Sequence, residues 1–201
     1  MSIIKLNNRS VKDITSFGSI SSLGSLTHIA TQTASSSASL SFTSGIDSTY
    51  KEYIFYFVNM HPATDNVYFE FQGNASGESG FNETITSTAF YAQHREDDGA
   101  AVLEYRTGED QAQGTAFQRL CEGLGNDNDQ SLSGYLHLFN PSSTTFVKHF
   151  ITQTNQVRYN DRLYNFHIAG YFNTTSAIDE IQFKMSSGNI DSGQILLFGL
   201  N

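Results

Sequence analysis

The sequence predicts an all-β fold, an antiparallel β-sandwich of jelly-roll type with a short extended N-terminal arm, and three observations lead there. Apolar and polar residues alternate with a period of two in several segments, as half-buried strands require. Turn-forming clusters such as Asn140-Pro141-Ser142, Asn160-Asp161 and Ser187-Gly188-Asn189 separate these segments. Charged residues make up only 15% of the chain, and Ser, Thr, Asn and Gln supply most of the remaining polarity, which disfavours helix interiors. A β-barrel is the second architecture. No internal repeat of about 20 to 50 residues is visible, which speaks against a propeller or solenoid.

The division expected is an arm over residues 1–26 and one β domain over 27–201. In the arm, Val11, Ile14, Phe17, Ile20 and Leu23 recur every third residue. Gly18, Gly24 and many Ser residues weaken a helix there, each Gly by up to about 1 kcal/mol. We read the segment as an extended arm whose five apolar teeth anchor the domain to a partner surface. Next, Ala38, Leu40 and Phe42 alternate with Ser, and Val67, Phe69 and Phe71 alternate with Tyr68, Glu70 and Gln72; both read as half-buried strands. Between them Tyr53–Val58, YIFYFV, is continuously apolar. Such a run suits a strand covered on both faces, at the sandwich centre or at a subunit contact. Thr84–Gln93 is a long Thr-rich strand, and Leu132–Phe139 places Leu132, Leu136 and Leu138 opposite Tyr135, His137 and Phe139. Residues 146–154, 166–172, 177–185 and 194–200 complete a set of about ten strands. With 16 Phe, 10 Tyr and no Trp, the core must be built from Phe rings and aliphatics.

Charge narrows the partners. A net charge of −9 with only 11 Lys and Arg excludes duplex nucleic acid as a ligand, because that affinity comes from cations neutralising phosphates. A single cysteine, Cys121, rules out an intrachain disulfide and reads as a small buried hydrophobe. The opening residues lack the apolar stretch of a secretory signal, and no run approaches the ~18 apolar residues of a membrane-spanning helix. Synthesis in the cytoplasm without membrane insertion is the expectation.

Catalytic chemistry finds no motif. His28, His61, His94, His137, His149 and His167 form no close ligand pair, HExxH and GxSxG are absent, and no Ser or Cys can be assigned a partner His. Asp97, Asp110 and Asp127 are candidate acids for glycoside hydrolysis, but an acidic chain offers such residues anyway. Asp127–Ser131 begins like an EF-hand loop, then fails with Leu132 and Leu138 where Gly and Glu belong, leaving only an irregular Ca²⁺ loop. Asn74, Asn82 and Asn173 head glycosylation sequons, which without a secretory signal carry no meaning. The chain is therefore expected to be no enzyme and to use no metal or cofactor. Recognition falls to the loops at residues 73–82 and 122–131 and the REDDG turn at 95–99. Within and beside them, Tyr91, His94, Arg95, Asn126, Asp127 and Asp129 are the candidate contacts for surface glycans.

Three stretches carry a resemblance: RSVKDITSFGSISSLGSL at 9–26, HLFNPSSTTFVKHF at 137–150 and AGYFNTTSAIDEIQFKMSSGNIDSGQILLFGL at 169–200. Together they resemble small virion structural proteins of tailed bacteriophages, especially marine and cyanobacterial phages, over nearly the whole chain. The resemblance implies a tail-fibre-like or capsid-decoration β-sandwich module, attached to the particle by its N-terminal segment and often trimeric. It implies capsid or tail proteins as partners, a host-surface glycan as a further ligand, and the virion as location. A lectin-like carbohydrate-binding domain is the alternative, followed by a glycan-cleaving enzyme.

Overall fold

The computed structural model describes residues 26–200. The arm residues Val11, Ile14, Phe17, Ile20 and Leu23 lie outside the described residues. Thirteen strands follow in order: β1 (Thr27–Ser37), β2 (Leu40–Phe42), β3 (Glu52–Pro62), β4 (Phe69–Ala75), β5 (Ile85–Arg95), β6 (Ala101–Tyr105) and β7 (Ala112–Gly114). The remainder are β8 (Gln118–Arg119), β9 (Leu132–Phe139), β10 (Lys148–Arg158), β11 (Arg162–Phe172), β12 (Ile178–Met185) and β13 (Ile190–Leu200). They form two antiparallel sheets, one of nine strands in the order β1-β13-β3-β9-β10-β11-β5-β6 with β7 also on β5, and one of four in the order β2-β12-β4-β8. The fold is the antiparallel sandwich expected. Its unequal division differs from the roughly eight-stranded, double Greek-key pattern of a jelly roll.

Phe rings fill the space between the sheets. Phe183 on β12 sits at the centre, with ring centroids 5.4 Å from Phe55, 5.3 Å from Phe57, 5.8 Å from Phe69 and 6.1 Å from Phe71. Phe71 carries the cluster on to Phe150 at 5.1 Å and Phe172 at 6.1 Å. The edge-to-face and offset geometries suit the ring quadrupoles, so the pairs add to the area they bury. Gly170 makes room for this packing: a Cβ there would lie 2.6 Å from the Phe150 ring and 2.7 Å from the Thr86 carbonyl oxygen. At Gly193, φ is +122°, a conformation that side chains resist, and it supports a bulge where β13 shifts register against β3.

Two strands exchange the environments that their sequences suggest. β4, whose alternation predicts one wet face, is buried at every residue. Its polar side chains are capped by other chain segments: the Gln72 amide donates to the carbonyls of Glu83, Thr115 and Ala116, and Glu70 is 3.6 Å from the Lys184 ammonium. β3, apolar on both faces, is fully covered on one and partly on the other, where Ile54 is buried and Tyr56 half-buried. Tyr53, Phe55 and Phe57 enter the core, while Val58 is exposed on the other side. β1 is absent from the alternation pattern because THIATQTASSS is an edge strand with only Ala34 buried; backbone hydrogen bonds rather than apolar contrast hold it along β13. β6, β7 and β8 are equally silent in the sequence, being short edge pieces with few buried residues.

The four-stranded sheet does not reach across all nine strands of its partner. The 106–125 segment, which contributes β8 to that sheet, also packs on β5 through Ser87 and on β10 through Thr154 and Gln156, and it carries an ionic cluster. Glu122 pairs with Arg106 at 2.8 Å and with Arg158 at 3.1 Å, and Glu109 with Arg106 at 3.2 Å and Arg119 at 3.6 Å. Burial pushes the Glu109 carboxyl up, opposed by the Arg106 guanidinium. Cys121 of this segment is fully buried, with its thiol pushed up to about 12 by loss of solvation, so it is the inert small side chain expected.

Candidate recognition surfaces

The two long polar loops stand at opposite ends of the sandwich. Residues 122–131 join the β3–β4, β5–β6 and β10–β11 connections at one end; Ser76–Asn82 stands at the other, beside Thr174 and Ser176, because Gly73, Asn74 and Ala75 are the last residues of β4. No single site can use both loops.

At the first end a polar cleft of about 420 Å³ is lined by Asn59, His61, Asn128, Asp129, Gln130, Ser131, Asp191 and Ser192. His61 Nε2 donates to the Asp127 carbonyl at 3.2 Å, and its Nδ1 is 3.7 Å from the Asp191 carboxylate. Gln130 is buried under the loop, accepting from the Asp127 amide at 3.3 Å and donating to Asp161 at 3.2 Å. The Asn126 amide groups reach the Asp65 carboxylate and the Ala63 carbonyl. Asn126 thus fastens the loop, while Asp127 and Asp129 are exposed. The loop holds its shape through these amides, and among the described residues no group of three His, Cys, Asp or Glu is placed to bind a metal ion.

His94 and Arg95 occupy the same end on the β5–β6 turn. His94 Nε2 is 3.2 Å from Asp98, and Arg95 pairs with Asp97 at 2.5 Å. The Gly99 backbone N–H, helped by Arg95, holds the Asp97 carboxyl below the usual carboxylate range. A second hollow of about 290 Å³ joins this turn to Asn160 and Asp161.

Tyr91 is not part of any recognition surface. It is 4% exposed, stacks on Tyr164 at 4.6 Å, and donates its hydroxyl to Glu104 at 2.9 Å beneath Arg106. Burial, followed by the Glu104 contact, raises its phenol well above the usual range. The period of two accounts for this: Ile85, Ser87, Ala89, Tyr91 and Gln93 are the inward residues of β5, so the outward aromatic is Phe90.

A broad open surface is the outward face of the nine-stranded sheet. Register places His28, Phe198, Ile54, His137, Ile151, Ala169 and Thr88 side by side in one row. Thr31, Leu196, Tyr56, Tyr135, Gln153, His167, Phe90 and Tyr105 form the next row. Neither row contains Lys, Arg, Asp or Glu, although the chain carries 31 such residues, 11 basic and 20 acidic. Phe90 is 42% exposed, Ile151 49% and Leu103 75%. Five of the six histidines, all but His61, lie on this face. Phe90 stacks on His167 at 5.0 Å; Tyr135 is 5.2 Å from His137, Tyr171 5.9 Å from His149 and Phe198 5.3 Å from His28. No spacing motif marks this set, since its members are brought together only by strand order; the one local signal is the recurrence of His beside aromatics at outward strand positions.

Burial lowers the His137 imidazole, opposed by the Glu52 carboxylate at the margin of the face. A native pKa below the unfolded value favours the neutral ring, so its stabilising share is complete above the ordinary imidazole range. That share declines as pH falls through this range towards the lowered native value. His137→Phe is expected to flatten this acid limb, read as urea midpoints between about pH 8 and about pH 5; an unchanged slope would show that His137 titrates alike in both states.

Compared with known proteins, the chain matches no family model, no curated protein and no solved structure.

Proposed function

We propose that this chain is an assembly protein of a tailed-bacteriophage virion, a tail-fibre-like or capsid-decoration module, docked by residues 1–26 and presenting the β-sandwich outside the particle. The observation that carries the reading is the broad, uncharged and partly apolar outer sheet face, a surface suited to contact with protein and unsuited to permanent exposure. The engagement of the acids adds support: Glu109 and Glu122 are held by guanidinium groups that brace the core, leaving them no reacting role. Capsid or tail proteins are the partners, and the virion is the location.

The cleft around His61 favours a second reading, recognition of a surface glycan, because it sets amide, carboxylate and imidazole groups around an open hollow. A glycan array separates the two: reproducible sugar binding abolished by His61→Ala supports recognition, and a blank array leaves assembly as the sole role.

Deletion of residues 1–26 tests the docking. The truncated chain is expected to remain folded and soluble, because β1 begins at Thr27, and to disappear from purified particles when produced together with the capsid and tail proteins of the particle. Unfolding on truncation would make the arm part of the core, and retention on particles would place the attachment elsewhere.

A further inference from the structure

We infer that the outward face of the nine-stranded sheet is a homodimer interface, on which a second copy of this chain packs face to face. The inference rests on the assembly reading and deepens it by naming the partner.

Charge is the first argument for a second copy. A chain of net charge −9 repels its own copies almost everywhere, and this face is where two can touch without placing carboxylates against each other. Glu52 stands at its margin and His94 is already beside Asp98; the central rows are uncharged when the imidazoles are neutral. Shape is the second. The face presents Phe146, 69% exposed, next to Phe139 and His149, and also an apolar hollow of about 430 Å³ bounded by Thr88, His149, Ile151, Ala169 and Tyr171. A two-fold contact brings the same patch from both copies, so a surface with both a projection and a hollow suits a copy of itself.

Size is the third argument. Eight strands in the main order span seven spacings of ~4.8 Å, and the eight residues of β9 extend ~27 Å, so the face covers on the order of 900 Å². A standard stable interface takes about 800 Å² from each partner. The composition of β3 agrees: YIFYFV reads as a strand covered on both sides, and within one copy its outward side is covered only at Ile54, with Tyr56 partly exposed and Val58 exposed.

Such an interface must respond to acid. His28 faces Phe198 and Thr31; His137 faces Tyr135, Phe139, Ile54 and Ile151, with Glu52 at the margin; His149 faces Tyr171; His167 faces Phe90, Gln153 and Asn165. Glu52 is the carboxylate beside His137, and positive charge on imidazoles that a two-fold contact brings together repels.

Light scattering coupled to gel filtration of the full chain, with hydrogen–deuterium exchange of the same samples, tests the inference. Two copies are expected at about pH 8, with exchange slowed along β9 and β10 as concentration rises, and one copy at about pH 5. Ile151→Lys and Phe90→Lys, each half-exposed and so compatible with folding, are expected to weaken association at least about a hundredfold at pH 8. A monomer at every concentration, a trimer, or a dimer indifferent to both substitutions overturns the inference. If the wild-type chain is monomeric yet still enters particles through residues 1–26, self-pairing falls and the assembly reading stands. A dimer that never enters particles keeps self-pairing and removes the assembly reading.

Discussion

Phe183→Ala is expected to cost about 3–5 kcal/mol of unfolding free energy, the range for truncating a fully buried Phe. Phe183 is the ring on which the sheets meet: Phe42 lies against it from β2, Phe55 and Phe57 from β3, and Phe69 and Phe71 from β4. These neighbours belong to four-stranded and nine-stranded sheets alike, and pleated sheets cannot collapse into one lost ring without sliding their ladders. The cavity therefore stays largely open, which puts the cost towards the upper end. A domain of ordinary stability holds about 5–15 kcal/mol in reserve, so a large share of it is lost. Urea unfolding checks this, with Val102→Ala on the exposed edge strand β6 as a comparison expected within about 0.5 kcal/mol of wild type. A Phe183→Ala loss below about 1 kcal/mol would mean the sheets do pack down, and that the Phe cluster is not the keystone of the sandwich.

Glu122→Met is expected to cost about 2–4 kcal/mol, for a different reason. Its carboxylate stands between Arg106 and Arg158, and the Arg158 side chain also lies over the rings of Tyr159 and Tyr164. Removing the carboxylate leaves two half-buried guanidinium groups facing each other without an anion between them, although Arg106 keeps Glu109. Partial exposure of Arg106 to solvent holds the cost below that of a fully buried pair. The double variant Glu122→Met/Arg158→Met is expected to lose less than the single one, because the second change removes a stranded charge. Denaturant midpoints at low and high salt decide it: a double variant as unstable as the sum of both singles would show that the residues act independently.

Both predictions depend on features that the sequence displays unequally. The inward Phe69 and Phe71 of β4 follow from a period of two, which is a local property, and so the sandwich, its Phe core and the alternating face of β9 are readable from the residues alone, whereas the continuous apolar run of β3 does not mark its inward side. Tyr91 reads as a recognition residue when its loop neighbours are weighed above its strand parity, and parity is what places it inside. β1 leaves no mark in the sequence because an edge strand buries too little to imprint a pattern.

The ionic cluster is beyond reach for another reason. Glu122, Arg106 and Arg158 are separated by 16 and 36 residues, and nothing local relates them. The recognition candidates show the same divide. His94, Arg95, Asn126, Asp127 and Asp129 do share one end of the molecule, while the loop at 76–82 does not, and only strand direction sorts them.

What the residues by themselves determined is the class of fold and the inward sense of the strands that alternate, such as β4 and β9, because side-chain alternation is written into the backbone of a strand. What the tertiary structure decided is which strands lie next to which. That order gathers five distant histidines on one face, covers both sides of β4, and leaves Val58 exposed on the outward side of β3, because pairing between strands is set by the packing of the whole sandwich rather than by any single segment.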